Sequence, residues 1–193
     1  MIISNTAGLV NYGAGGGVLF DRCDATIANN QIRNNVASRG TGYGWGGGIY
    51  VYFRDPVVQG NLVQGNWARK PGQPGGYGAG IYQWYGGGVI ADNLVTGSAY
   101  GGSSVYLGYS TSLFERNTIV DNSTSTGLQM KFGGGATANP INNIIARSGT
   151  SRQVGLSGSA TDPLTATLSH NTIVCSGPET GVSVDTGYVD INL

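Results

Sequence analysis

Charge is what this sequence has least of. Ten basic and ten acidic residues in 193 cancel to a net charge of zero. A chain so neutral and charge-poor carries no electrostatic footprint for nucleic acid or for an anionic membrane surface. No apolar run approaches the ~20 residues of a membrane span. Met1-Ile2-Ile3-Ser4-Asn5 lacks the basic and apolar regions of a secretory signal. His170 is the only histidine, so no second one exists to pair with it around a metal. It reads as a surface or turn residue. Cys23 and Cys175 are the only cysteines, and no metal-ligand spacing surrounds either. Helical periodicity is missing, and 35 glycines are too many for helices. The glycines follow no strict triplet, which excludes collagen.

What fills the sequence instead is one phrase, repeated. Gly46-Gly47-Gly48-Ile49-Tyr50-Val51-Tyr52-Phe53 leads to Asn61, thirteen positions after Gly48. Gly17 leads likewise to Asn30, Gly80 to Asn93 and Ser104 to Asn117, each at thirteen. Later units are looser: Gly127 leads to Asn143 and Gly155 to Asn171, both at sixteen, and Gly181 opens a unit that the chain does not finish. An apolar residue follows each Asn at the second position: Ile32, Val63, Val95, Ile119, Ile145 and Ile173. A small polar residue follows at the fifth: Asn35, Asn66, Ser98, Asn122, Ser148 and Ser176. Short apolar β-runs and turn residues recurring every few tens of positions are the mark of a solenoid.

The repeat predicts a single all-β domain over residues 1–193, a right-handed parallel β-helix of about six to seven coils with three strands each. Alternation then sends Val18, Ile49, Ile81, Val105, Leu128, Leu156 and Val182 inward on the first strand, and Ile27, Val58, Ile90 and Phe114 inward on the second. Asn30, Asn61, Asn93, Asn117, Asn143 and Asn171 form a ladder at the turn between the second and third strands. Asn suits that place because it tolerates the left-handed conformation and its side chains bond from coil to coil. The two cysteines fall five coils apart, roughly 24 Å at ~4.8 Å per strand step, too far to bond. The chain begins and ends within a coil, which predicts a fragment of a longer solenoid or end-to-end self-association.

The Gly-x-Gly-[Ile/Val]-Tyr and Asn-x-Ile-x-x-Asn phrases resemble the right-handed parallel β-helix superfamily, that is, pectate-lyase-like proteins and polymorphic outer-membrane repeats. The resemblance spans nearly the whole chain and is specific for fold rather than activity. It implies an extracellular or cell-surface protein, and a ligand cleft along the first strand and its preceding loops. Those loops vary in length. From Asn to the next anchor the gap is 18 and 19 residues in the first two coils and 10 to 12 afterwards. The two long loops, 38–45 and 69–77, leave the same corner of adjacent coils, and insertions on one face of a solenoid often mark its binding face.

Two chemistries compete for that face. Tyr50, Tyr82 and Tyr106 point outward in register, with Tyr52 and Trp84 two residues on and Trp45 and Tyr77 in the loops. Such rings stack on sugars and their polar tips bond hydroxyls. Arg39, Arg69 and Lys70 in the loops, with Arg54 near them, suit an anionic polysaccharide. The alternative is catalysis. Family hydrolases carry an Asp-Asp pair and a Gly-His-Gly element, and family epimerases an Asp-Pro-His-Glu element; this chain has none of them, since Asp55-Pro56 is followed by Val57-Val58. Lyases of the fold use clustered acids that hold calcium and an Arg or Lys base; Asp24 and Asp55 with Arg54 are the nearest match, with Asp21 beside them. The expectation is therefore a non-catalytic, structural or adhesive segment that binds carbohydrate without cofactor. A polysaccharide lyase or epimerase, with calcium in the lyase case, is the alternative.

Overall fold

The structure, a computed structural model, describes residues 1–9, 11–73, 75–123, 128–147, 153–175, 181–184 and 189–192. Every named element is a strand, and the chain is an all-β parallel solenoid. Three parallel sheets of seven strands each form its faces. The first face stacks Val18–Asp21, Ile49–Tyr52, Ile81–Gly86, Ser103–Ser110, Leu128–Gly133, Val154–Ser157 and Val182–Val184. The second runs from Thr26–Ala28 to Val189–Asn192, and the third from Ile2–Ile3 to Thr172–Cys175. About five turns close, slightly fewer than the six to seven expected. Seven stacked strands enclose fewer complete turns than there are strands, and the anchor phrases count strands. A short fourth sheet, Thr6–Gly8, Val36–Ser38 and Trp67–Arg69, leads into the two long loops.

The core follows from alternation. Val58, Ile90 and Phe114 stack inward on the second face, and Ile32, Val63, Val95, Ile119 and Ile145 on the third, all at most 1% exposed. Each such side chain contributes about 1.5–3 kcal/mol through burial. On the first face the expected column holds through Val18, Ile49, Ile81 and Val105, then departs. Val105 pairs with Met130, and Met130 with Val154, not with Leu128 and Leu156. Leu128 pairs with Ser103, while Leu156 belongs to the neighbouring column beside Phe132. The slip is two residues in each case, which preserves in-out parity, so alternation cannot detect it.

The Asn ladder is present. Asn61, Asn93 and Asn117 each donate a backbone N–H and a side-chain Nδ2–H to the Oδ1 of the next Asn, at 2.8–3.2 Å. Their Nδ2 groups also reach carbonyls of a neighbouring coil, Ile27, Val58 and Ile90. The left-handed conformation falls one residue earlier than expected, on Asn29, Gly60, Asp92, Arg116, Asn142 and His170, with φ between 52° and 66°. That residue makes the corner, which frees the Asn side chain to point inward. His170 is an exposed turn residue on that account. A second ladder runs along the next corner, linking Asn5, Asn35 and Asn66; it breaks at Ser98, whose hydroxyl is buried without a partner, and resumes where the Ser98 N–H donates to Asn122 Oδ1. Gln129 continues it, accepting from the backbone and side chain of Asn122. Ser148, Ser176 and Gly127 lie outside the described residues. Cys23 keeps a free thiol packed against the core.

Candidate functional site

The outward side of the first face carries two columns. One reads Leu19, Tyr50, Tyr82, Tyr106, Lys131; the other reads Asp21, Tyr52, Trp84, Gly108, Gly133, Ser157. The tyrosines stack on one another with ring centroids 5.2 and 5.1 Å apart and planes within 10°. That spacing is close to the strand step, so the sheet itself sets the stack. Tyr82 and Tyr106 are consequently only 6% and 8% exposed, although they point away from the core. Their faces are spent on each other. Burial raises the Tyr50 hydroxyl to about 12, with help from Tyr52 and Asp21, and raises Tyr82 and Tyr106 as well. All three stay neutral donors over the physiological range.

The row is not continuous. At the fifth strand Tyr gives way to Lys131, and one strand earlier Trp84 gives way to Gly108 and then Gly133. A Cβ added at Gly108 would collide with the Trp84 indole, and one at Gly133 with the Tyr106 hydroxyl. The aromatics lean onto bare backbone and leave a groove of about 680 Å³, within the ~300–1,000 Å³ typical of small-molecule sites. Its lining brings together Trp45, Tyr50, Tyr52, Tyr77, Tyr82, Trp84 and Tyr106 from the sequence reading. Tyr43, Lys131, Gly133, Gly134 and Ser157 line it too and were not foreseen. The two-residue slip hid Lys131, because the expected register sets Gln129 beside Tyr106. Lys131 is the only charged side chain among the described residues of the lining.

The loops supply the flank. Trp45 bridges to Tyr77, whose ring lies 5.1 Å from Tyr106 and which stays 37% exposed. Tyr12, Tyr43 and Trp45 form a triangle of near-parallel rings, 5.9–6.4 Å apart. A Cβ at Gly75 would overlap Tyr43, so glycine there gives the ring its seat. A further stack, Phe53, Tyr85 and Tyr109, runs along the C-terminal ends of the first-face strands at 4.8 Å per step. All three residues have φ between 49° and 63°, unusual for aromatics. Arg22 lies over Phe53 and Tyr52.

Other expected site residues sit elsewhere. Asp24 accepts the Asp55 N–H at 2.9 Å, and Asp55 accepts the Gly87 N–H at 2.7 Å. These carboxylates form a rung-to-rung capping series at the turn after Phe53. Arg54 is exposed beside Arg22 and Phe53. No group of three or more His, Cys, Asp or Glu that could hold a metal occurs among the described residues. Arg39 and Arg69 are absent from the described lining of the aromatic groove; Arg39 lines a cavity with Trp67 and Lys70, and Arg69 pairs with Ser38 in the strand that Trp67 opens. Comparison with protein-family models, with curated proteins and with solved structures finds no match. The assignment to a parallel solenoid therefore rests on the strand register itself. No helix among the described residues is long and apolar enough to cross a membrane.

Proposed function

We propose that this chain is a non-catalytic segment of a secreted or surface-displayed β-solenoid of the pectate-lyase-like kind, and that it binds a carbohydrate unit in the groove beside Trp84. One observation carries the reading. The groove opens where the repeat of large outward residues gives way to glycine, and partly exposed aromatics border it there. Trp84, Tyr52 and Tyr77 offer ring surface, the tyrosine hydroxyls offer donors, and the described residues of the lining include no carboxylate. A sugar presents the matching set of one apolar face and several hydroxyls. The lyase or epimerase alternative has no comparable support, since Asp24 and Asp55 already accept backbone amides. The compartment follows from the family resemblance alone.

A glycan array tests the proposal. The wild-type chain should retain at least one glycan, and Trp84→Ala should weaken that binding roughly tenfold, on the ~0.5–1.5 kcal/mol scale of an aromatic contact. An array blank for the wild type defeats it.

A further inference from the structure

At the corner that leads into the first face, the beginnings of the two long loops come together around a residue that the repeat does not explain. Trp67 pairs in register with Val36 on one side and Ala99 on the other, and meets the edge of Tyr100 at 4.9 Å. Two adjoining cavities of about 350 and 290 Å³ share Val36, Arg39 and Trp67. Lys70 closes one and Asn34 the other, which makes a single trough along the indole. Arg69 pairs with Ser38, the residue before Arg39, so the loop cations arise from adjacent strands.

The charge here has no local counterpart. Between positions 31 and 91 the sequence holds Arg33, Arg39, Arg54, Arg69 and Lys70 against Asp55 alone, and Asp55 caps Gly87. The ion pairs among the described residues use Arg22 and Arg116. Arg69 has its Nε and one Nη buried without an acceptor, and burial lowers its pKa. Of these cations Arg39 and Lys70 line the trough and Arg69 lies two residues along the strand from Trp67, whereas Arg54 sits at another turn; the described residues of the trough include no acid.

We infer that the Trp67 trough is a second binding site, for an acidic sugar residue of a polysaccharide. The indole receives the ring, and Arg39 and Lys70 receive its carboxylate or sulfate ester. A sugar fits better than nucleic acid because the cations are confined to two adjacent coils, whereas a nucleic-acid strand calls for a longer basic track. The inference stands apart from the groove reading, which concerns other residues and neutral sugar chemistry.

The test is calorimetric titration of the whole chain with dextran, dextran sulfate and oligogalacturonate, at low and at raised salt. Wild type should bind an acidic chain that excess dextran does not displace, with affinity falling as salt rises. Preference between the two acidic chains identifies sulfate or carboxylate as the anion. Arg39→Gln with Lys70→Gln, both exposed and checked for fold by circular dichroism, should weaken binding roughly tenfold or more. Trp84→Ala should leave it unchanged, which separates this site from the groove. Equal binding by the double variant, no binding of either acidic chain, or equally tight binding of duplex DNA would each overturn the inference.

Discussion

Two kinds of ladder run along this solenoid, and they differ in what they satisfy. The Asn ladder occupies an inside corner and closes the hydrogen bonds of buried backbone, each Asn bonding the Asn of one adjacent coil and a carbonyl of the other. The Tyr ladder stands on the outer face and covers it, ring on ring. The first is polar and directional, the second apolar and set by spacing. Both show that repetition in a parallel solenoid serves stability first, because every coil must satisfy the next. Binding chemistry is to be sought where repetition stops, at Lys131, Gly108 and Gly133 on one face and at Trp67 on another.

Replacing a ladder Asn in mid-stack should have the largest effect. Asn117→Ala removes the acceptor for two Asn93 donors and the donor to Ile90 and Glu115 carbonyls. Several buried groups at ~1–3 kcal/mol each predict a loss of roughly 3–5 kcal/mol. Asn30, partly exposed and with fewer bonds, should cost visibly less. Equal losses for the two in denaturant unfolding would contradict the ladder account.

Tyr82→Ala comes next. The ring is sandwiched between Tyr50 and Tyr106, so its removal should destabilise by about 2–4 kcal/mol, near the range for a buried aromatic. Tyr82→Phe keeps the stack and should shift the melting temperature far less. A stable Tyr82→Ala would show that the outer ladder is decoration.

Filling the glycine floor should sharpen the contrast between stability and binding. Gly108→Ala places a methyl group where the Trp84 indole lies. Overpacking of this kind costs about 1–3 kcal/mol, yet the groove should lose its ligand almost wholly. Unaltered glycan binding by a folded Gly108→Ala would remove the groove from consideration.

The gentlest probe is pH. Tyr50 has its folded pKa raised to about 12, with Tyr82 and Tyr106 raised too, so their neutral forms are favoured in the fold. Their contribution is fully present below the unfolded value near ~10 and is lost as pH rises through the folded values. Tyrosinate absorbance should therefore appear late, together with unfolding. A titration that is complete near the ordinary value with the fold intact would show these rings to be exposed.

Much of the fold was readable because a solenoid writes its contacts into the sequence at a fixed interval. The thirteen-residue spacing from anchor to Asn placed Asn61, Asn93 and Asn117 in one column, and the Asn-x-Ile phrase placed the inward row of the third face. Reading failed where the anchor changed chemistry. At the fifth and sixth strands Gln129 and Gln153 occupy the anchor place, and glycine is no guide there. Gln129 extends its amide to Asn122, so a residue outside the ladder's sequence positions completes the ladder.

The candidate site was legible as a list and illegible as a shape. The sequence by itself determined the parallel solenoid, its inward rows, the Asn corner and the aromatic enrichment of the second and third coils, because each depends on a period that local residue types reveal. Only the tertiary structure decided that Tyr82 and Tyr106 are buried, since stacking at the strand step joins residues tens of positions apart. It alone also placed Lys131 after Tyr106, and set Arg39 and Lys70 beside Trp67 rather than in the aromatic groove. The physical reason is common to all three. Register between coils is set by which side chains fill the shared core and corners, and that choice is made in space.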